Sequence, residues 1–349
     1  MPNYFPAEWH PQQAIQITWP HPNTDWAWII NEAQAFYYKL AKTILTLQNL
    51  VISVPNKALQ KELEYSFKDS KFECRIYICP SNDTWTRDHG PISIFNESLL
   101  EIQDYQFNGW GNKFEAQLDN QITPTLFKEG AYKGAHLKKH HFVLEGGSLE
   151  SDGAGSLLTT TQCLLNKNRN PRYAQNEIEN LLKTQLGCDN ILWLEHGDLI
   201  GDDTDAHIDT LARFTPNNGI VFQGCQNPLD EHFSDLNKMK EQLRSFRNAH
   251  DHPYMLFELP MPNAIHEDLG TTEEQRLPAS YANFLILNTA VLLPVYNVPQ
   301  DKEAIDIMTL AMPEHDIIPV DCTLLIRQYG SLHCITMQIP TPIRETSKA

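Results

Sequence analysis

The sequence predicts an α/β protein assembled from five repeated units set around a central axis, and three observations carry that expectation. Segments of 3.6-residue apolar period alternate with short runs rich in Val, Ile, Leu and Phe. A polar cluster recurs at comparable spacing along the chain, and no linker divides its 349 residues.

In chain order, the helical period occupies 26–49, 173–186, 234–248 and 300–311. Extended runs fall at 50–54, 75–79, 142–144, 191–194, 219–223, 284–287, 291–295, 316–320 and 334–339. Between them lie polar loops: Thr84-Trp-Thr-Arg-Asp88, Glu145-Gly-Gly147, Asp203-Thr-Asp-Ala-His207, Ser280-Tyr-Ala-Asn283 and Gly330-Ser-Leu-His-Cys334. With Asp88, Glu145, His207, Asn283 and Cys334 as markers, the intervals are 57, 62, 76 and 51 residues. Units of this size stacked around an axis would bring equivalent loops to one central place. The 22 prolines are dispersed, and no Gly/Ser tract, charge block or low-complexity run interrupts the pattern. One domain over 1–349 is therefore expected.

Hydrophobic residues make up 41% of the chain and charged residues 20%, an ordinary globular balance. Forty-four acidic residues against 27 basic give a net charge of -17, which repels nucleic acid and anionic membranes and draws in small cations. Solubility alone also accounts for such acidity. Seven scattered cysteines (Cys74, Cys79, Cys163, Cys188, Cys225, Cys322 and Cys334) lack C-x-x-C spacing, so neither a disulfide framework nor a zinc motif is indicated and a reducing cytoplasm is expected. The N-terminal residues lack a signal-peptide pattern, and no run approaches the ~20 apolar residues of a membrane span. Self-association into a homo-oligomer is left open.

Cys334 follows Gly330-Ser331 at the head of an apolar run, where a turn would present its sulfur at a strand end as an accessible nucleophile. A buried cysteine acting as a small hydrophobe is the ordinary alternative. His207 stands among four aspartates in Gly201-Asp-Asp-Thr-Asp-Ala-His-Ile-Asp209, carboxylates that favour and orient an imidazolium. A hydrated acidic loop or a metal site using His207 and Asp209 fits the same residues. If Asp205, His207 and Asp209 are extended, alternation places all three on one side. Asp88 follows Arg87 in a loop ending Gly90-Pro91, and Glu145 precedes Gly146-Gly147, where backbone can approach closely. A surface ion pair and a solvated strand end are the plain explanations.

Taken together these segments resemble the agmatine deiminase family, which includes the Porphyromonas-type peptidylarginine deiminases within the guanidine-modifying pentein superfamily. The resembling stretches are Pro6-Ala-Glu-Trp-His-Pro11 with Thr18-Trp-Pro20, Trp85-Thr-Arg-Asp-His-Gly-Pro91, Glu145-Gly-Gly147, Asn166-Lys-Asn-Arg-Asn-Pro171, Asp203-Thr-Asp-Ala-His-Ile-Asp209 with Ala212-Arg-Phe214, Leu277-Pro-Ala-Ser-Tyr-Ala-Asn-Phe284 and Gly330-Ser-Leu-His-Cys-Ile-Thr336. They run almost end to end. The resemblance implies an α/β propeller of five ββαβ blades about a pseudo-fivefold axis.

The resemblance further implies Cys334 as nucleophile, His207 as acid/base, Asp88 and Asp209 as guanidinium-binding carboxylates and Glu145 as a supporting carboxylate. A protonated guanidinium offers planar paired donors, which two carboxylates can hold from opposite sides. Hydrolysis of agmatine to N-carbamoylputrescine and ammonia through a covalent thiouronium would follow, with no metal or organic cofactor. Asp205 competes with Asp209 for the second carboxylate role, although the family's H-x-D pattern favours Asp209. Asn283 either orients substrate or caps a strand end. Trp85, Trp110 and the aspartates are candidates to surround an amine tail.

Two departures stand out. The family usually has glycine where Ala206 stands, and a more glycine-rich run where Tyr329-Gly330-Ser331 precedes the cysteine. A glycine position demands φ > 0 or close backbone approach, so Ala206 bears on substrate choice. Peptidylarginine, free arginine or methylated arginine are alternative substrates; a free amino acid would need an arginine such as Arg169 or Arg276 for its carboxylate. Metal-assisted hydrolysis through His207, Asp209 and His333 or Glu145, amidino transfer to an amine, and a non-catalytic binding protein are the remaining alternatives.

Overall fold

The computed structural model describes residues 3–267 and 275–343. The expected domain span of 1–349 also takes in 1–2, 268–274 and 344–349, which lie outside the described residues.

The architecture is mixed α/β, and one strand pattern recurs in five sheets. Ile92–Asn96 pairs antiparallel with Leu99–Gln106, which pairs parallel with Ala135–Val143. Glu150–Ser151, Ser156–Thr160 and Asn190–Leu194 repeat that order, as do Ala212–Thr215, Gly219–Gln223 and Met255–Leu259. Leu285–Ile286, Ala290–Val295 and Asp316–Asp321 form the fourth set. In the fifth, Thr336–Pro340 from the chain's end pairs antiparallel with Gln12–Thr18 from its beginning, which pairs parallel with Leu50–Val54. Cys74–Ile78 adds a further parallel strand there.

Each parallel step contains a helix, because parallel strands need a crossover. These helices are Ile122–Lys128, Gln175–Leu186, Phe233–Ser245, Asp301–Ala311 and Ile30–Ile44, with Lys57–Phe67 serving the added step to Cys74–Ile78. In Ile30–Ile44 the side chains of Ala33, Tyr37, Leu40, Ala41 and Ile44 are buried, the i, i+3, i+4 stripe of a helix lying on a core. Gln175–Leu186 buries Ile178, Leu182 and Leu186 and stops at Gly187, whose φ of 78° closes its C-terminus. The largest apolar cluster joins Ile15, Ile17, Leu50, Ile52, Leu292, Leu293 and Ile335, all fully buried. Each such Leu or Ile contributes about 1.5–3 kcal/mol on burial. No helix among the described residues is long and apolar enough to cross a membrane.

Cys334 departs from its expected place. The strand it was expected to begin runs Thr336–Pro340, so Cys334 lies in the preceding turn, and it is buried at 3% exposure. The 203–209 segment is not extended either. Asp205 and Ala206 adopt φ of 67° and 60°, and Asp209 lies in the turn Ile208–Thr210, so alternation does not put Asp205, His207 and Asp209 on one side.

Candidate active site

The five marker residues occupy the same topological position, the connection from the last strand of one sheet to the first strand of the next. Asp88 lies between Cys74–Ile78 and Ile92–Asn96, Glu145 between Ala135–Val143 and Glu150–Ser151, and His207 with Asp209 between Asn190–Leu194 and Ala212–Thr215. Asn283 precedes Leu285–Ile286, and Cys334 precedes Thr336–Pro340. All are buried.

Cys334 Sγ lies 3.3 Å from Asn283 Nδ2 and 3.9 Å from Asp209 Oδ2. Asn283 also accepts the His333 backbone N–H at 2.9 Å through Oδ1, which fixes the amide beside the sulfur. Burial first, then the Asp209 and Asp88 charges, push the Cys334 thiol well above its ordinary value.

On a second side, Asp88 Oδ1 accepts the Gly147 N–H at 3.0 Å and Oδ2 accepts the Trp110 indole N–H at 3.0 Å. Trp110 reaches it from a backbone at φ 52°, strain of the kind that surrounding structure must hold. Burial, opposed by His207 and reinforced by Asp209, lifts the Asp88 carboxyl to about 6. His207 Nδ1 is 3.5 Å from Asp88 Oδ1, and its Nε2 is 3.9 Å from Glu145 Oε2. Burial disfavours the charged ring, yet Asp88, Cys163 and Glu145 outweigh it and raise His207 to about 10. His207 is therefore an imidazolium at neutral pH.

Gly147 shows how tightly these groups converge. A Cβ there would lie 2.6 Å from His207 Nδ1, 2.7 Å from Asp88 Oδ1 and 3.2 Å from Asp209 Oδ2. Only glycine leaves that point clear. Asp209 Oδ1 and both His207 nitrogens are buried without a hydrogen-bond partner among the described residues, which marks the space they face as one made for a polar ligand.

Behind Asp209 runs a buried charged chain. His333 meets Asp209 Oδ2 through Nδ1 and Glu8 Oε2 through Nε2, each at 2.7 Å. Burial and the Arg213 and Arg87 charges push His333 down, but only a ring protonated on both nitrogens donates to both carboxylates, and that is the form the geometry favours. Arg213 then bridges Glu8 and Glu150, each at 2.6 Å. Burial would raise Asp209, but the His333 hydrogen bond, with the His333, His207 and Arg213 charges, holds its carboxyl below the ordinary value.

Glu145 and Asp205 are linked through Arg169. Its Nε lies 2.9 Å from both Glu145 oxygens, its Nη1 2.6 Å from Asp205 Oδ2, and its Nη2 donates to the Thr204 carbonyl at 2.8 Å. Lys113 Nζ takes the other Asp205 oxygen at 3.1 Å. Asp205 thus shapes the loop, and the carboxylate placed beside Cys334 is Asp209.

A cavity of about 170 Å³ opens over Cys334 and Asp88. Trp85, Trp110, Phe114 and Tyr329 give it aromatic walls; Asp25, Asp83 and Asp203 add acidic side chains, of which Asp83 is lifted by burial and then by the Asp25 charge to about 8, and no basic side chain lines it. A Cβ on Gly330 would fall 2.2 Å from the Trp85 ring, so this glycine lets Trp85 pack against the cysteine turn.

A family model for Porphyromonas-type peptidyl-arginine deiminase matches residues 4–340. The chain belongs to that family. The agmatine deiminase of Stutzerimonas stutzeri is 31% identical over 358 residues, covering 97% of this chain and 96% of the relative. Among solved structures, a variant of C. jejuni agmatine deiminase with substrate bound aligns at TM-score 0.90 and 37% identity, covering 98% of this chain and 97% of that one. The agmatine deiminase of Enterococcus faecalis aligns at TM-score 0.84 and 26% identity, over 98% and 96%.

Within this member of the peptidyl-arginine deiminase family, sequence reasoning named Asp88, Glu145, His207, Asp209, Asn283 and Cys334, and the structure brings them together. It missed the second rank. Glu8 and Arg213 lie in quoted stretches without being singled out, and Arg169 was considered only as a partner for substrate, because a charged residue gives no local sign that it is buried against another. Arg169 and Arg276, considered as carboxylate partners for a substrate, are both committed to protein: Arg276 pairs with Asp230 at 3.0 Å and Glu231 at 2.9 Å.

Proposed function

We propose that this chain is an agmatine deiminase, hydrolysing the guanidine group to N-carbamoylputrescine and ammonia. The observation that carries this reading is a cavity holding Cys334 and Asp88 whose lining has four aspartates, four aromatic rings and no basic side chain. Agmatine has a guanidinium at one end and an ammonium at the other, so both ends are served: Asp88 and Asp209 at the sulfur, acidic and aromatic groups towards the mouth. A free arginine would bring a carboxylate, and no arginine among the described lining residues meets it.

In this mechanism the entering guanidinium cancels the charges of Asp88 and Asp209. Burial first, and then those charges, hold the thiol protonated, so the entering guanidinium lets Cys334 pass its proton to solvent water and stand as the thiolate. The sulfur attacks the guanidinium carbon, His207 gives its proton to departing ammonia, and a thiouronium remains. The neutral imidazole then takes a proton from water, the adduct collapses, and the ureido product leaves. Asn283 holds the sulfur in line, and Glu145, anchored by Arg169, faces His207 from the side opposite Asp88.

The reading extends to the architecture. We infer that the five sheets stand as blades about a pseudo-fivefold axis within one catalytic domain spanning 1–349, supported by the five equivalent inter-sheet connections that carry the site residues. A cytoplasmic location accords with seven unpaired cysteines, one of them the nucleophile.

The test is to incubate purified protein with agmatine, free arginine or an arginine peptide and measure ammonia and ureido product, alongside Cys334→Ala. Product from agmatine alone, abolished in the variant, is expected. Turnover of the peptide would move the substrate, and activity surviving Cys334→Ala would overturn the mechanism.

A further inference from the structure

We propose that Glu145, Cys163 and His207 form a zinc site whose occupation switches the enzyme off; the binding stands on its own geometry, and the inhibition rests on the role of His207 given above. The three side chains are fully buried, and one ligand atom from each lies within 4.8 Å of the others. Glu145 Oε2 is 3.9 Å from Cys163 Sγ and 3.9 Å from His207 Nε2. Zinc bonds of about 2.0–2.3 Å at tetrahedral angles set ligand atoms about 3.3–3.7 Å apart, so the cluster needs only small side-chain movements to close on an ion.

The donor set selects the metal. Thiolate and imidazole favour Zn²⁺ over Mg²⁺ and Ca²⁺, and the Cys163 thiol gives up its proton on ligation. His207 Nε2 is buried with no hydrogen-bond partner among the described residues, so an ion that displaces its proton meets no competing donor or acceptor there. The ligands come from three separate segments that are already keyed together. Thr160 Oγ1 accepts the Cys163 N–H at 3.3 Å and donates to the Ala206 carbonyl at 2.8 Å, setting the turn of Cys163 against the loop of His207. Arg169 Nε spans both Glu145 oxygens; it retains Oε1 when the ion takes Oε2. Three protein ligands leave a fourth position for water.

A metal on His207 Nε2 takes the place of the proton there, so the ring cannot be the imidazolium that gives a proton to ammonia from Nδ1, the nitrogen 3.5 Å from Asp88; Cys163 has no step of its own in the proposed chemistry. Removing Cys163 takes away a ligand while Asp88 and Glu145 still favour the His207 imidazolium, so metal sensitivity is compared with each variant's own metal-free rate.

The experiment titrates the purified chain with Co²⁺ as a spectroscopic substitute and follows thiolate-to-metal charge transfer in the near ultraviolet, in wild type, Cys163→Ser, Cys163→Ala and Cys334→Ala. The band is expected in wild type and Cys334→Ala and absent from both Cys163 variants, whose folding is checked by thermal melting. Zn²⁺ is expected to inhibit agmatine turnover reversibly to EDTA, with the inhibitory concentration, read against each protein's own metal-free rate, raised at least ~10-fold in Cys163→Ser. A band lost in Cys334→Ala but kept in Cys163→Ser would put the metal on the nucleophile and overturn the proposal, as would no band in any protein. Because the band is read without substrate, failure of the agmatine reading leaves it interpretable.

Discussion

At the scale of single residues, the site is governed by charges that burial makes consequential. Asp88 must be ionised to hold a guanidinium, and its carboxyl is lifted to about 6. His207 must be protonated to release ammonia, and it is held up to about 10. kcat/KM for agmatine is therefore expected to fall as pH drops through about 6 and again as it rises through about 10. Ammonia release measured from pH 5 to 10.5 checks this, and a flat acid side would remove Asp88 from guanidinium binding. The same His207 shift carries a stability consequence. Its contribution is complete below the ordinary histidine value of 6.5 and lost as pH rises through about 10, so the melting gap between wild type and His207→Gln should narrow from pH 7 to pH 10. Gly147→Ala places a methyl 2.6 Å from His207 Nδ1 and 2.7 Å from Asp88 Oδ1. Displacing reacting groups by about 1 Å costs about 10²-fold, so its kcat/KM is expected to fall by about that factor, measured by ammonia release. A variant within twofold of wild type would show that the two side chains need not meet.

At the scale of elements, the loops are tied to one another rather than to the strands they join. Arg169 holds Glu145, Asp205 and the Thr204 carbonyl, coupling the Glu145 turn to the left-handed 205–206 segment that delivers His207. Arg169→Ala leaves Glu145 buried without its cation, and breaking a buried pair in this way costs about 3–5 kcal/mol. Urea unfolding should record that loss, with turnover falling alongside it; an unchanged midpoint would mean the loops hold themselves. The elements also show what was legible from sequence. The runs 50–54 and 219–223 coincide with their strands because each centres on consecutive apolar residues, Leu50-Val-Ile52 and Ile220-Val-Phe222, with Ser53 and Gln223 the polar exceptions. The strands Gln12–Thr18 and Ser156–Thr160 were not read, since Gln16, Ser156, Thr159 and Thr160 are polar yet buried. Tertiary partners explain such residues: Gln16 Oε1 accepts the Tyr132 hydroxyl at 2.8 Å, which a local pattern cannot reveal. Lys57–Phe67 escaped because only Leu63 and Phe67 are buried, too thin a stripe to stand out. Ala206 was singled out correctly as a position suited to glycine; its φ is 60°. The extended geometry considered for its neighbours was wrong for that same reason.

At the scale of the molecule, the net charge of -17 extends the acidity of the mouth into solvent. Asp25 and Asp203 line the cavity a ligand enters, Asp83 beside them being lifted by burial to about 8, and the surplus of carboxylates elsewhere adds a field of the same sign. Agmatine carries two positive charges at neutral pH and free arginine a net charge of one, so the steering should be steeper for agmatine. Salt shortens the reach of that field from about 30 Å at 0.01 M to about 3 Å at 1 M. Buried pairs such as Asp209 with His333 lie inside the low-dielectric interior and are screened far less. kcat/KM for agmatine is therefore expected to fall several-fold between about 0.01 M and 1 M NaCl, while kcat changes little, because the field acts on encounter and the buried groups act on chemistry. Steady-state kinetics at four or five salt concentrations separates the two. A matching fall in kcat would place the salt-sensitive charges within the reacting cluster, and no change in kcat/KM would mean that the acidic surface serves solubility alone.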